Sequence, residues 1–188
     1  MGKENVYTSS GSDHRIFFLS DGIDNESIGK LCFDILTILE KDDEEEKEKK
    51  NFTRKPIKLF INSGGGEVHD MWALIDILLH SKTPIYTYVT GYAMSAAFKI
   101  FLSGSKRFVS KHSTLLYHQV RLIRCGTYQH IVDHRPEVDR IQNEIEQYVL
   151  ERTNVTEEKL KEIREKQIDW FIHCDEALEY GIATNIFE

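Results

Sequence analysis

Two stretches of this chain follow one plan, and that plan limits its fold more than any other feature of the 188 residues. "PIKLFI" (56–61) is a short β-prone apolar run that passes through "NSGGGEV" into a segment where Val68, Met71, Trp72, Ile75, Leu78 and Leu79 recur on one helix face. "TPIYTYV" repeats the strand, "GYAMS" repeats the turn, and "AAFKIFL" (96–102) is apolar enough to be a buried helix. A strand, a turn of small residues and a helix, given twice in succession, predict the α/β class. The turns of such units are where chemistry sits, because rigid elements hold them while their residues stay accessible.

The flanks extend the pattern. "RIFFL" (15–19) predicts a strand, and Ile28, Leu31, Cys32, Ile35, Ile38 and Leu39 predict a helix with Asn25 as its cap. The charged run 41–55 pairs Glu45 with Lys49 and Glu46 with Lys50, which predicts a solvated helix extension or a mobile insert. "KRFVS" and "STLLYH" add strands. From 127 to 150 the chain turns polar, with a stripe at Val138, Ile141, Ile145 and Val149, predicting a long amphipathic arm in which Pro136 marks a break or a start. Thr156 caps a further helix that carries Glu157 and Glu158 in its first turn, and "DEALEYG" predicts a last short helix closed by Gly181. The length suits a single domain over 1–188.

Composition excludes several function classes. With 40% hydrophobic residues and charges spread along the chain, disorder is excluded. A formal net charge of -7 argues against phosphate-rich nucleic acid and anionic lipid as partners. Cys32, Cys125 and Cys174 lie far apart with no CxxC spacing, no signal-peptide core is present, and no apolar run reaches the roughly 20 residues of a membrane span. A soluble cytoplasmic protein is expected.

The chemistry gathers around Ser95. As a helix cap it lacks support, since Phe98 stands where a capping box needs Glu or Gln. As a nucleophile it has the right place, a strand-to-helix turn flanked by Ala93, Ala96 and Ala97, although Ala93 and Ala97 stand where a G-x-S-x-G elbow has glycines. "NSGGGEV" supplies a backbone able to turn N–H groups toward a ligand, or simply a tight turn. His118 ends an apolar strand, where it is either a general base or a satisfied core histidine. Asp169, beside Trp170 and Phe171, is either an orienting carboxylate or a surface residue after a helix. His130 and His134 share a helix face around Asp133, but Pro136 follows closely and no third ligand is evident, so a solvated face is preferred to zinc. No metal or cofactor is expected.

Taken in order, "FINSGGGEV", "GYAMSAAFKIFLSGSKRF", "LLYHQ" and "DWFIHCDEALEYGIA" resemble the proteolytic subunit of the Clp protease family over roughly residues 15 to 188. The resemblance implies a Clp/crotonase-like fold of repeated strand-turn-helix units with a protruding handle helix at 127–150. It implies a serine endopeptidase acting on unfolded polypeptides or short peptides through an acyl-enzyme. Ser95 is then the nucleophile, His118 the base and later acid, and Asp169 the group that holds the imidazole. Gly66 and Ala96 supply the backbone N–H groups of the oxyanion hole, and Gly65, Val120 and Arg121 bind substrate.

The family pattern also implies stacked heptameric rings, a homo-oligomer of fourteen subunits, with an AAA+ unfoldase as partner. Here only 14 residues precede Arg15, a shorter segment than the family carries there, which weighs against that docking. Gly64 replaces the family's proline and Ala96 its methionine, and neither change removes a backbone N–H. In "VRLIRCGTYQ" Arg121 and Arg124 replace a proline- and glycine-rich stretch and are expected to alter substrate choice or ring packing. Two alternatives use the same fold: a non-proteolytic acyl-CoA-binding protein of the crotonase type, and an inactive ring subunit.

Overall fold

Alternate residues of the strands face opposite ways, and this chain fills both faces. The computed structural model describes residues 14–123 and 125–188; most of the short N-terminal segment and Arg124, with the role expected of it, lie outside the described residues. Strands β1 (Ile16–Ile23), β2 (Ile57–Gly66), β3 (Ile85–Met94) and β4 (Lys106–Ser110) run parallel in that order, and β7 (Asn185–Phe187) pairs in parallel with β4. One face sends Phe17, Leu19, Ile57, Leu59, Ile61, Val89 and Val109 into the core. On the other, register aligns Phe18, Phe60, Tyr88 and Phe108 into a row of stacked rings with centroids 5.1, 4.6 and 4.5 Å apart. Such aligned aromatic pairs stabilise a sheet and hold its register.

Helices α1 (Asn25–Glu48), α2 (Val68–His80) and α3 (Ala96–Leu102) pack on the core face, and the two strand-turn-helix units appear where the sequence predicts them. The first helix is capped one residue earlier than expected. Asp24 accepts from the Ser27 N–H at 2.8 Å, and Ser27 Oγ accepts from the Asp24 N–H at 3.1 Å, a reciprocal box that Asn25 does not make.

The strand β3 is long enough to serve two neighbours. Its first half pairs with β4, and its last residues, Tyr92 to Met94, pair in parallel with β5 (Thr114–Tyr117). β5 in turn pairs antiparallel with β6 (Trp170–Ile172). Between them lie α4 (Tyr128–Arg152) and α5 (Glu157–Lys166), and α6 (Cys174–Glu179) follows. Thr156 caps α5 as expected, accepting from the Lys159 N–H at 3.2 Å.

Pro136 does not break α4, which continues through it. A proline there leaves the Val132 carbonyl without its helical donor. Val132 is exposed, so water can take that carbonyl. Only from Gln142 onward is the helix buried, through Ile145, Tyr148 and Val149, and its first half projects from the body. No helix among the described residues is long and apolar enough to cross a membrane.

Candidate active site

Four strands meet so that each stops or starts at a residue with chemistry. β2 ends in the glycine turn, β3 hands the chain to Ser95, β5 to His118, and β6 begins just after Asp169. The registers bring them level. Ser63 lies opposite Ala93, so two residues on Gly65 comes opposite Ser95. Met94 lies opposite Leu116, and the Ser95 N–H donates to the Leu116 carbonyl at 3.0 Å, which leaves His118 just beyond. Tyr117 lies opposite Trp170, so His118 and Asp169 are next in that antiparallel register. The carboxyl ends of parallel strands are where such sheets form sites, because the loops diverge there.

At Ser95 the capping role finds no support. Its side chain makes no capping hydrogen bond, and its backbone is at φ 54° and ψ -119°, a region that side chains avoid. Holding a non-glycine residue there costs about 1–3 kcal/mol, and the surrounding structure must impose it. A sharp strand-to-helix elbow results without the flanking glycines of G-x-S-x-G, because Ala93 and Ala97 are buried and small enough for the turn.

The glycine turn is required by proximity. Gly65 has φ 99°, and a Cβ there would lie 2.7 Å from the Met94 carbonyl oxygen, 2.8 Å from Ser95 Cβ and 2.9 Å from Ala96 N. Only glycine lets this backbone lie against the elbow. The Gly65 N–H is spent on Ser63 Oγ at 3.2 Å. Ile23 pairs with Gly66, and its carbonyl accepts from the Glu67 N–H at 2.8 Å. A parallel ladder bonds the residues flanking a partner, so the Gly66 N–H turns away from β1. Gly66 and Ala96 both line a cleft of about 250 Å³ with Ser95 and His118. As the first residue of α3, Ala96 has an N–H that the helix leaves unpaired.

His118 is half-buried, and its Nδ1 contacts the carbonyl of Gln119. A carbonyl only accepts, so Nδ1 carries the proton and Nε2 keeps its lone pair. Burial pulls the imidazole below its usual range; the Lys99 and Arg121 charges add to this, while the Gln119 bond and Asp169 oppose it. Asp169 is exposed, and its carboxylate is held by Arg121 Nη2. The two residues expected to share a proton link are therefore neighbours that each bond elsewhere. Val120 and Arg121 line the cleft, although the Val120 N–H donates to Gln142 Oε1 at 2.8 Å, while Gly65 stands behind Ser95.

One lining residue escapes sequence reasoning. Lys99 sits in the apolar run "AAFKIFL", a single lysine among residues fit for a core, and that oddity is its only signal. It is 3% exposed, with Nζ 4.9 Å from the centre of the Tyr117 ring. His130 and His134 lie on the projecting half of α4, and no group of three potential metal ligands is found among the described residues.

Comparison with known proteins places the fold and the family. In solved structures the chain is similar to a ClpP1 point mutant from Listeria monocytogenes, with a TM-score of 0.76, 24% identity, and coverage of 93% of this chain and 91% of that one. The similarity gives the chain the Clp/crotonase-like fold. Among curated proteins it is 30% identical over 175 residues to the ATP-dependent Clp protease proteolytic subunit 1 of Prochlorococcus marinus, covering 92% of this chain and 83% of that protein. It is 29% identical over 136 residues to the proteolytic subunit 2 of Treponema pallidum, covering 71% and 67%. The Clp protease family model matches residues 3–188, and with that match the chain belongs to the Clp protease family.

Proposed function

We propose that this chain is a cytoplasmic serine endopeptidase that cleaves unfolded polypeptides or short peptides within a ring-shaped oligomer served by a Clp-type ATPase. The observation that carries the reading is the strained elbow at Ser95, with the Gly65–Gly66 backbone pressed against it and His118 on the same cleft. Strain of this kind is retained where function needs it.

In the proposed cycle Ser95 Oγ attacks the peptide carbonyl carbon while its proton passes to His118 Nε2. The Gly66 and Ala96 N–H groups receive the negative charge on the carbonyl oxygen, as an oxyanion hole does. The C–N bond then breaks, His118 returns the proton to the leaving amine, and an acyl-serine remains. Water, deprotonated by His118, attacks that ester and releases the acid with Ser95 regenerated.

Support for assembly comes from Leu122, Ile123, Tyr128 and Ile131, large apolar side chains exposed at the start of the projecting arm and in the segment leading to it, Ile123 at 99%. Exposed clusters of this kind mark protein contacts. The pair between Asp169 and Arg121 favours the inactive-subunit alternative. A fluorophosphonate probe separates the two readings: in the assembled protein an adduct should map by mass spectrometry to the peptide containing Ser95. Absence of both adduct and peptide cleavage in protein shown by gel filtration to be a ring would end the peptidase reading.

Two further results are expected. Because the Gln119 carbonyl already holds the His118 tautomer, Asp169→Asn should lower kcat/KM by only about tenfold, against the ~10⁴-fold typical of an orienting aspartate. A loss near that larger figure would mean that Asp169 reaches His118 in the working enzyme. The base must be neutral to accept the serine proton, and burial lowers its pKa. On a neutral peptide the acid limb of kcat/KM should therefore have its midpoint below the ordinary histidine value of about 6.5. A midpoint at or above that value would contradict the role given to His118.

A further inference from the structure

The cleft beside Ser95 is charged in one sense only. Lys99 and Arg121 line it with His118, and no acidic side chain among the described residues does, in a chain that carries 31 acidic residues against 24 basic. Val68 and Met71 from α2 and Ile145 from α4 make the remaining side-chain walls close to the elbow. Lys99 lies on α3 one helical turn after Ser95.

Its position is unusual for a buried cation. Arg107, another buried cation, is satisfied by backbone carbonyls, with Nε on Ile182 at 2.8 Å and Nη2 on Gly181 at 2.7 Å. Among the described residues, Lys99 Nζ has only the face of Tyr117. Asp169 does not line the cleft and is engaged by Arg121. A buried ammonium without a counter-ion is costly unless something supplies one. Burial alone pulls Lys99 down to about 7, so a carboxylate arriving in the cleft would also restore its charge.

Resting on the peptidase reading above, we propose that Lys99 is a specificity-determining residue that selects substrates with an acidic side chain, Asp or Glu, next to the carbonyl attacked by Ser95. The apolar walls take the methylene stem, and the buried ammonium takes the carboxylate. A neutral amide of the same shape would leave the lysine without a counter-charge. Sites that depend on a buried polar partner reject analogues that lack it far more strongly than apolar pockets reject a missing methylene.

The test is a fluorogenic tetrapeptide series identical except for the residue before the coumarin, comparing Glu with Gln, Asp with Asn, and Leu, on the assembled protein. Wild type should cleave the acidic member of each pair with kcat/KM at least about tenfold higher, a floor well under the roughly 10⁴-fold that loss of a buried polar partner can cost. In Lys99→Met that ratio should fall to unity or below, while the fluorophosphonate probe still labels Ser95. Equal rates on the matched pairs in wild type would overturn the proposal without any variant. Loss of labelling and of all cleavage alike in Lys99→Met, with the ring intact by gel filtration, would also overturn it, because Lys99 would then act on Ser95 itself. A wild type that is neither labelled nor active on any peptide removes the peptidase reading, and this proposal with it.

Discussion

Ser95→Ala is expected to abolish fluorophosphonate labelling and to lower kcat on peptides by roughly 10⁵- to 10⁶-fold, the scale seen when the nucleophile of a serine peptidase is removed. The residual rate would come from the backbone donors and from substrate binding. Ser95→Gly should be equally inactive, yet more stable than wild type by about 1 kcal/mol in urea unfolding. Glycine adopts φ 54° without the roughly 1–3 kcal/mol that a side chain costs there, and about 0.5–1 kcal/mol of that gain is returned as chain entropy. A helix-capping serine would behave in the opposite way, since losing a cap destabilises. A glycine variant less stable than wild type would therefore return Ser95 to a structural role.

The largest loss of stability is expected far from the cleft. Asp42 is fully buried, receives Arg15 Nη2 at 2.5 Å and Nη1 at 2.9 Å, and accepts from Thr83 Oγ1 at 2.6 Å. Arg54 backs this cluster, bonding Thr83 Oγ1 at 3.1 Å, Asp43 at 2.5 Å and Glu46 at 2.7 Å. The cluster ties the end of α1 to the start of β1 and to the turn before β3. Asp42→Ala takes the carboxylate away from the largely buried Arg15 guanidinium and should cost about 3–5 kcal/mol. The melting temperature should then fall on the order of 10 °C. Arg15→Met added to it should recover part of the loss, because the buried charge is then gone as well.

The pH dependence follows from the same contacts. Burial raises the Asp42 pKa, but the bonds from Arg15 and Thr83 and the charges of Arg15 and Arg54 outweigh it and hold the carboxyl below its ordinary value. A group with a depressed folded-state pKa stabilises fully above its unfolded pKa, about 3.9, and loses that contribution as pH falls through the folded value. The gap between wild type and Asp42→Ala should be constant near neutrality and close only in strong acid. A gap that closes on going from neutral to mildly acidic pH would mean that a different group is responsible.

Asp42 also marks where reading the chain alone fails. The run 41–55 has the composition of a solvated face, and most of it is one. The burial of one aspartate within it depends on Arg15 and Thr83, residues 27 and 41 positions away. Lys99 is hidden the other way, as the odd residue in an apolar helix whose surroundings are built by α2, α4 and β5. Asp169 has a motif position that points to His118, but its side-chain partner is Arg121, 48 residues away. Pro136 obeys its local rule only where a carbonyl is buried, and on the exposed arm water relieves the penalty.

What the sequence determined by itself is what neighbours within one turn or one strand decide. The strand-turn-helix units, the glycine turn, the cap at Thr156 and the placing of Ser95 and His118 at strand ends follow from apolar period and turn chemistry. Only the tertiary structure decided that β3 splits its pairing between β4 and β5, and that split brings Ser95 and His118 to one cleft. It also set the strained elbow, the burial of Asp42 and Lys99, and the partners of His118 and Asp169. Backbone strain and buried charge cost free energy locally, so no local pattern favours them, and they persist because the packed fold around them is worth more.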